Sequence, residues 1–283
     1  MTITIVGLGL IGGSLALDLR ANGFADWLIG VDANPLHTDQ AIALGLVDEI
    51  LSLESACAAA DLVILAVPVS GIVSLFPQVL DLISEKGVVV DMGSTKAEII
   101  RRIAGHPRRS RAVAAHPMAG TEFSGPAAAI NNLFHGKAAI ICDRSQSDPQ
   151  AVHLVERLFK SLFMRIIYMD AREHDIHAAY VSHISHITSF VLALTVLDKE
   201  KSEANIFNLA SGGFSSTVRL AKSSPRMWRD VYEQNSENIL DVLNNYIEKM
   251  GLFRDLIAKG EYDQTYSLME AANVIGPILN GIK

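Results

Sequence analysis

Six residues near the start of the chain constrain its fold more than any other feature. Gly7-Leu8-Gly9-Leu10-Ile11-Gly12 follows an apolar, β-branched run at 3–6 and leads into a helical pattern over 11–20. At such a strand-to-helix turn the first glycine permits the tight bend and the second lets backbone approach a pyrophosphate. The third lets helix and strand pack closely, and the helix N-terminus faces the phosphate charge. Asp32 closes the next strand-like run, 28–31, twenty residues beyond Gly12. A carboxylate there accepts hydrogen bonds from the ribose hydroxyls of a dinucleotide and repels a 2′-phosphate. Ala33, Asn34 and Pro35 follow, with no arginine to hold such a phosphate. NAD is therefore expected rather than NADP, held by residues 7–12 and Asp32.

The rest of the first half supports a sheet around that loop. Apolar runs at 62–67, 88–91, 113–115 and 138–142 alternate with amphipathic stretches such as 71–83, and a last strand pattern at 165–169 follows a helical one at 149–163. Near-continuous apolar strands alternating with helices indicate a mostly parallel sheet covered on both faces, an α/β Rossmann-like architecture. After Asp170 the chain reads as helix, broken at Ser211-Gly212-Gly213, Ser223-Ser224-Pro225 and Lys259-Gly260. The expected organisation is a dinucleotide-binding domain over 1–169 and an all-helical domain over 170–283.

Composition removes several classes of partner. The 24 Lys and Arg face 31 Asp and Glu for a net charge of −7, and neither half is basic, which argues against nucleic acid. The short basic run Arg108-Arg109-Ser110-Arg111 reads as a solvated loop. A hydrophobic content of 49% against 19% charged residues excludes disorder. Cys57 and Cys142 are too few for a disulfide framework and too isolated for zinc, which suits a reducing cytoplasm. The first residues carry no basic n-region, so no secretory leader is expected. The longest apolar stretch, 187–197, is about half of a membrane span, so no membrane association is expected.

In sheets of this kind ligands sit beyond the carboxyl ends of the strands. Val67-Pro68 ends one strand, and its proline shapes a loop under which a nicotinamide can lie. Asp91-Met92-Gly93-Ser94-Thr95-Lys96 ends the next, where Ser94 or Thr95 is either a ligand contact or a helix cap. The third end is His116-Pro117-Met118-Ala119-Gly120-Thr121-Glu122. His116 lies at the strand mouth with its backbone kept extended by Pro117, placed to accept a hydroxyl proton as hydride leaves the same carbon.

Taken with the glycine loop, the motifs Asp91-x-Gly-Ser-x-Lys96, His116-Pro-Met-Ala-Gly-Thr-Glu122, Ser182-His-Ile-Ser-His186 and Arg219-Leu-Ala-Lys-Ser-Ser-Pro-Arg-Met-Trp228 resemble, in order and spacing, the prephenate/arogenate dehydrogenase family of tyrosine biosynthesis. The resemblance spans nearly the whole chain. It implies NAD-dependent oxidative decarboxylation of prephenate to 4-hydroxyphenylpyruvate and a homodimer made through the helical domain. It further implies that His116 polarises the C4 hydroxyl, that Ser94 shares that hydroxyl, and that Arg219 holds a substrate carboxylate. One of His183 and His186 contacts the substrate side chain, with His183 ranked first. The same resemblance implies that Glu122 closes the entrance, while Trp228 either lines the pocket or is an ordinary core tryptophan. The family's Gly-Phe-x-Asp-x-Thr-Arg is here Gly213-Phe214-Ser215-Ser216-Thr217-Val218-Arg219, so Ser216 stands where many relatives have Asp.

Three further expectations follow. At ~100° per residue, His183 and His186 share one helix face while His174 lies ~180° from His183, so the histidines of this helix do not meet at one metal. The two alternatives are arogenate dehydrogenase, with the same chemistry on an amino-acid side chain, and a catalytically silent NAD-binding regulator. The two expected domains use up the chain, leaving no room for a fused mutase or regulatory domain.

Overall fold

Alternation within single strands decides the architecture. In β1 (Thr2–Val6), Ile3 and Ile5 enter one apolar cluster while Val6 enters another on the opposite face. The first helix, α1 (Leu10–Ala21), covers the first cluster, and β2 (Trp27–Val31) pairs with β1 in parallel. Two short helices, α2 (Pro35–Ala43) and α3 (Leu53–Ala59), flank a two-residue β3 (Glu49–Ile50) that no sequence pattern announces. Then β4 (Leu62–Leu65) and β5 (Val88–Asp91) repeat the alternation, Leu62, Ile64, Val88 and Val90 facing one way and Val63, Leu65 and Val89 the other. Between them α4 (Val69–Leu82) buries Ile72, Phe76 and Val79 in the second cluster, and α5 (Ala97–Ile103) adds Ile99 and Ile103. This is how a strand buried on both faces reads as a continuous apolar run.

The sheet is completed by β6 (Ala112–Pro117), β7 (Ala138–Cys142) and β8 (Arg165–Met169), with α6 (Pro149–Ser161) before the last. Strand order is β3-β2-β1-β4-β5-β6-β7-β8, and only β7 on β6 is antiparallel. Because β1 lies between β2 and β4, the order reverses beside the glycine loop, the switch point where such sheets bind ligands.

The structure, a computed structural model, describes residues 1–203 and 205–281. Beyond β8 the described residues form helices joined by turns, with no strand. A continuous helix runs over Ala171–Glu200, made of α7 (Ala171–Ala178), a π turn at Ala179–His183, and α8 (Ile184–Glu200). Short α9 (Gly212–Thr217) and α10 (Pro225–Gln234) follow. Two compact units emerge by packing, Met1–Ser236 and Glu237–Lys283. The first extends past β8 because α7 packs on α5 and β7 and α10 packs on α4. The second holds α11 (Ser236–Lys259) beyond its first residue, α12 (Tyr262–Ala272) and α13 (Ile275–Asn280).

Two expectations change. The Arg108–Arg111 segment is not a solvated loop: Arg109 is buried and donates to the Ala112 carbonyl at 3.0 Å, while Arg111 Nε donates to the Gly87 carbonyl at 2.9 Å. Carbonyls left unpaired at loop and strand ends need donors, and the guanidinium groups supply them. The helix 171–200 is also longer than its eleven-residue apolar core suggested. By length and composition it is long and apolar enough to cross a membrane, and its most apolar stretch is only 17% buried.

Candidate active site

The glycine loop is held by backbone crowding. Gly7 has φ +99°, and a Cβ there would lie 2.6 Å from the Ala66 carbonyl oxygen and 2.8 Å from Val67 Cγ1. At Gly12 a Cβ would lie 1.9 Å from the Gly7 carbonyl oxygen. Gly9, between them, faces open space. Two glycines thus close the turn and the third leaves its mouth clear. Leu8 N–H and Asn34 N–H each donate to a different oxygen of Asp32 at 2.9 Å, which fixes the carboxylate against the loop. His37 lies 3.4 Å from the same carboxylate, a neighbour that the sequence reading did not include. Leu10 and Ile11 open α1, and Pro68 caps α4 after a strand two residues shorter than expected.

At the adjoining strand ends Asp91 and Lys96 form a fully buried ion pair. Lys96 Nζ also donates to the Ala115 carbonyl at 2.6 Å, and Asp91 accepts from Gly93 N–H at 2.9 Å. Burial pushes the Asp91 carboxyl up, opposed by the Lys96 charge. This cross-link ties the ends of β5 and β6 together directly before His116. Neither Ser94 nor Thr95 caps α5. Asp175 of α7 performs that task, accepting from Lys96 N–H at 2.7 Å and Ala97 N–H at 2.9 Å. Thr95 instead donates to Gln234 at 2.7 Å, leaving half-buried Ser94 free of a capping role.

His116 is buried, and its Nδ1 lies 2.8 Å from His174 Nε2. His174 Nδ1 in turn lies 2.8 Å from Asp175 Oδ1. Burial first, then the nearby His174, Lys96 and His183, hold the His116 imidazole well below its usual pKa, so it is neutral. His183 is likewise pushed down to about 4 by burial. The expected phase of this helix fails. Its π turn inserts a residue without a matching advance, a slip of ~100° that brings His183 toward the side of His174. Asn235 spans that side, donating to the Asp175 carbonyl at 2.7 Å and lying 3.2 Å from His183 Nδ1. With Nδ1 accepting from the amide, the His183 proton resides on Nε2, which is buried and has no partner among the described residues.

Arg219 and Glu122 meet at 3.1 Å, with the arginine side chain 50% exposed. The Glu122 carboxyl is held below its usual range, chiefly by a backbone hydrogen bond and further by Arg219. His186 stacks on Trp228 with ring centroids 3.7 Å apart, and its pKa is lowered by burial and by the Arg219 charge. His186 Nδ1 faces the Ser182 carbonyl at 3.2 Å, so its Nε2 carries a lone pair. Trp228 is buried with its indole N–H unpaired among the described residues, on a helix tied to α4 by the Ser70–Asp230 hydrogen bond. Ser216 and Thr217 each bond back to the Gly213 carbonyl at 2.9 Å, so they brace α9.

The structure thus brings His116 near His183, Arg219 against Glu122 and near His186, and His186 onto Trp228. Sequence reasoning missed Asp175 and Asn235 and set His174 aside. The adjacent pair His174-Asp175 was the one available signal, an imidazole beside a carboxylate on a buried helix face.

Comparisons with known proteins identify the family. The family model for the prephenate dehydrogenase nucleotide-binding domain matches residues 15–168, and that for the prephenate dehydrogenase dimerization domain matches 170–271. The prephenate dehydrogenase of Bacillus subtilis is 31% identical over 274 residues, covering 96% of this chain and 74% of that protein. A crystal structure of prephenate dehydrogenase from A. aeolicus, in complex with hydroxyphenyl propionate and NAD+, superposes with a TM-score of 0.87 at 29% identity, covering 99% of this chain and 98% of the other. Synechocystis arogenate dehydrogenase gives a TM-score of 0.77 at 26% identity, covering 99% and 100%. With both halves matched in order, the chain belongs to the prephenate dehydrogenase family.

Proposed function

We propose that this chain is an NAD-dependent oxidoreductase that converts prephenate to 4-hydroxyphenylpyruvate and CO2 in tyrosine biosynthesis, as a cytoplasmic homodimer. The observation that carries the reading is His116: a buried, neutral imidazole at the carboxyl end of β6, on the edge of the sheet that also bears the glycine loop. Residues 1–169 serve as the dinucleotide-binding domain and 170–283 as the helical substrate and dimerisation domain, a division supported by the two family matches.

The loop fits NAD. The clear space at Gly9 admits a pyrophosphate, the crowding at Gly7 and Gly12 keeps the turn tight, and Asp32 presents lone pairs to ribose hydroxyls. Leu8, Leu10 and Ile11 complete the loop, and Val67 and Pro68 would hold the nicotinamide end of the bound cofactor. Bound there, NAD+ supplies the hydride acceptor. His116 Nε2 accepts a hydrogen bond from the C4 hydroxyl, raising electron density on the carbon that loses hydride. Ser94 shares that hydroxyl and fixes its direction. The C1–carboxylate bond breaks as CO2 leaves, and its electron pair completes the aromatic ring. The hydroxyl proton that His116 draws away returns to the phenol oxygen, so no net proton is consumed. Arg219 holds a substrate carboxylate through its planar fork, exchanging Glu122 for substrate at the entrance. His183 Nε2–H and Trp228 Nε1–H, both buried donors, suit the acceptor oxygens of a pyruvyl side chain.

A homodimer is supported by the dimerization-domain match and by exposed Val191, Leu194 and Leu197 along α8, with Leu240, Ile247 and Met250 exposed on α11. The two buried free thiols support a reducing compartment.

The arogenate reading is favoured by one observation, the lone pair on His186 Nε2, which would accept from an ammonium group. NADH formation measured with prephenate and arogenate side by side tests both. Faster turnover of prephenate is expected. Faster turnover of arogenate replaces the first reading with the second, and release from neither overturns the enzyme assignment.

A further inference from the structure

The mechanism needs a lone pair on His116 Nε2, and an isolated neutral imidazole divides its proton between two nitrogens. We infer that Asp175 and His174 are positioning residues that settle this division. This inference rests on reading His116 as the partner of the substrate hydroxyl. A carboxylate only accepts, so the His174 nitrogen 2.8 Å from Asp175 Oδ1 carries the proton. The other nitrogen of that ring, Nε2, then offers a lone pair, and His116 Nδ1, 2.8 Å away, donates to it. Only Nε2 of His116 is left as acceptor. One buried carboxylate, two covalent spans removed, thereby fixes the tautomer of the catalytic imidazole.

The orientation of Asp175 is itself over-determined. Its two oxygens accept from Lys96 N–H and Ala97 N–H at the start of α5, so its side chain cannot turn away from His174 without uncapping that helix. The helix it caps follows the loop that carries Ser94. The same carboxylate therefore links the proton acceptor to the strand end beside it, and Asn235, bonded to the Asp175 carbonyl, extends the link to His183. Around His116 the charged or titratable neighbours are His174 and Asp175 from α7, Lys96 and Asp91 from the β5 end, and His183 from the π turn. Among the described residues, His174 is the one of these whose side chain lies within hydrogen-bond distance of the His116 ring.

Two measurements test this. Selective 15N-histidine NMR of the native protein should find the proton on Nδ1 at His116 and His174 and on Nε2 at His183. A His116 proton on Nε2 would overturn the inference whatever the enzyme's substrate. His174→Phe keeps a ring but removes the acceptor, and should lower kcat ~10–100-fold with KM for substrate and NAD+ within about twofold, as outer-shell partners of reacting groups do. His174→Gln places an amide oxygen where Nε2 stood and should recover most of the loss. Equal losses in both variants, or an unchanged kcat in His174→Phe, would sink the positioning role. Should the substitutions prevent folding, the native spectrum decides alone. Absence of turnover in the native enzyme with either substrate would refute the functional reading and leave the tautomer result standing.

Discussion

At the glycine loop the constraints are backbone against backbone, whereas along the helix from Ala171 to Glu200 they are side chain against side chain. Gly7 and Gly12 have almost no room: a methyl group at Gly12 would lie 1.9 Å from the carbonyl oxygen of Gly7 in the same loop. His174, Asp175, His183 and Asn235 have rooms shaped by one another, and their hydrogen bonds join α7 to β6, to α5 and to the residue that ends α10. A local motif thus builds the proposed cofactor side, and a tertiary network builds the proposed substrate side. Changes on the first side should be read in folding and nucleotide affinity, and changes on the second in turnover.

The largest contrast should come from His116→Asn, which leaves the sheet intact and removes the hydroxyl's partner. Its kcat should fall by ~10²–10⁴-fold with little change in KM for either ligand. Steady-state kinetics check this, and a matched loss in kcat and substrate affinity would blur the division. On the loop side, Gly12→Ala should cost ~3 kcal/mol or more, because overpacked backbone has no flexible atom to move. Thermal unfolding reads it, and a Tm equal to that of the native protein would contradict the crowding. Arg219→Ala should raise the substrate KM by about tenfold while NAD+ binding holds, a modest value because half of the arginine is solvated.

The pH response separates the regions further. His116 is held well below 6.5, so the basic form survives into acid and kcat/KM should stay level as pH falls through 6.5. A half-maximal point at or above 6.5 would count against a neutral buried base. Stability follows a related rule. His183 titrates at about 4 when folded and near 6.5 when exposed, so its neutral burial is fully favourable above 6.5. That contribution is lost as pH falls from there toward about 4, where the unfolded chain binds the extra proton. The smallest effect on folding is expected at Gly9→Ala, whose methyl group meets open space. Tm should be unchanged while KM for NAD+ rises severalfold, provided the added carbon occupies the ground of the pyrophosphate. An unaltered KM would move the phosphate elsewhere.

The sheet was readable because its signals are local. The strands at 88–91, 138–142 and 165–169 lie where their apolar runs placed them, and the turn at 7–12 is recognisable from spacing alone. Two-residue β3 was not, since pairing with β2 creates it and no pattern of its own does. Arg109 misled for a similar reason: its charge suggests solvent, and only the folded chain reveals carbonyls waiting for donors.

By itself, then, the sequence determined a mostly parallel sheet, a nucleotide loop with its acidic partner, and the residues of one chemical family. These depend on periodicity, glycine sterics and short spacing, all carried by neighbouring residues. Only the tertiary structure decided which histidines meet. The π turn at Ala179–His183 changes the phase of the helix, and Asp175 reaches α5 while Asn235 reaches back to α7. A proton's position on His116 therefore depends on groups 58 and 59 residues further along the chain, and no local pattern contains that distance.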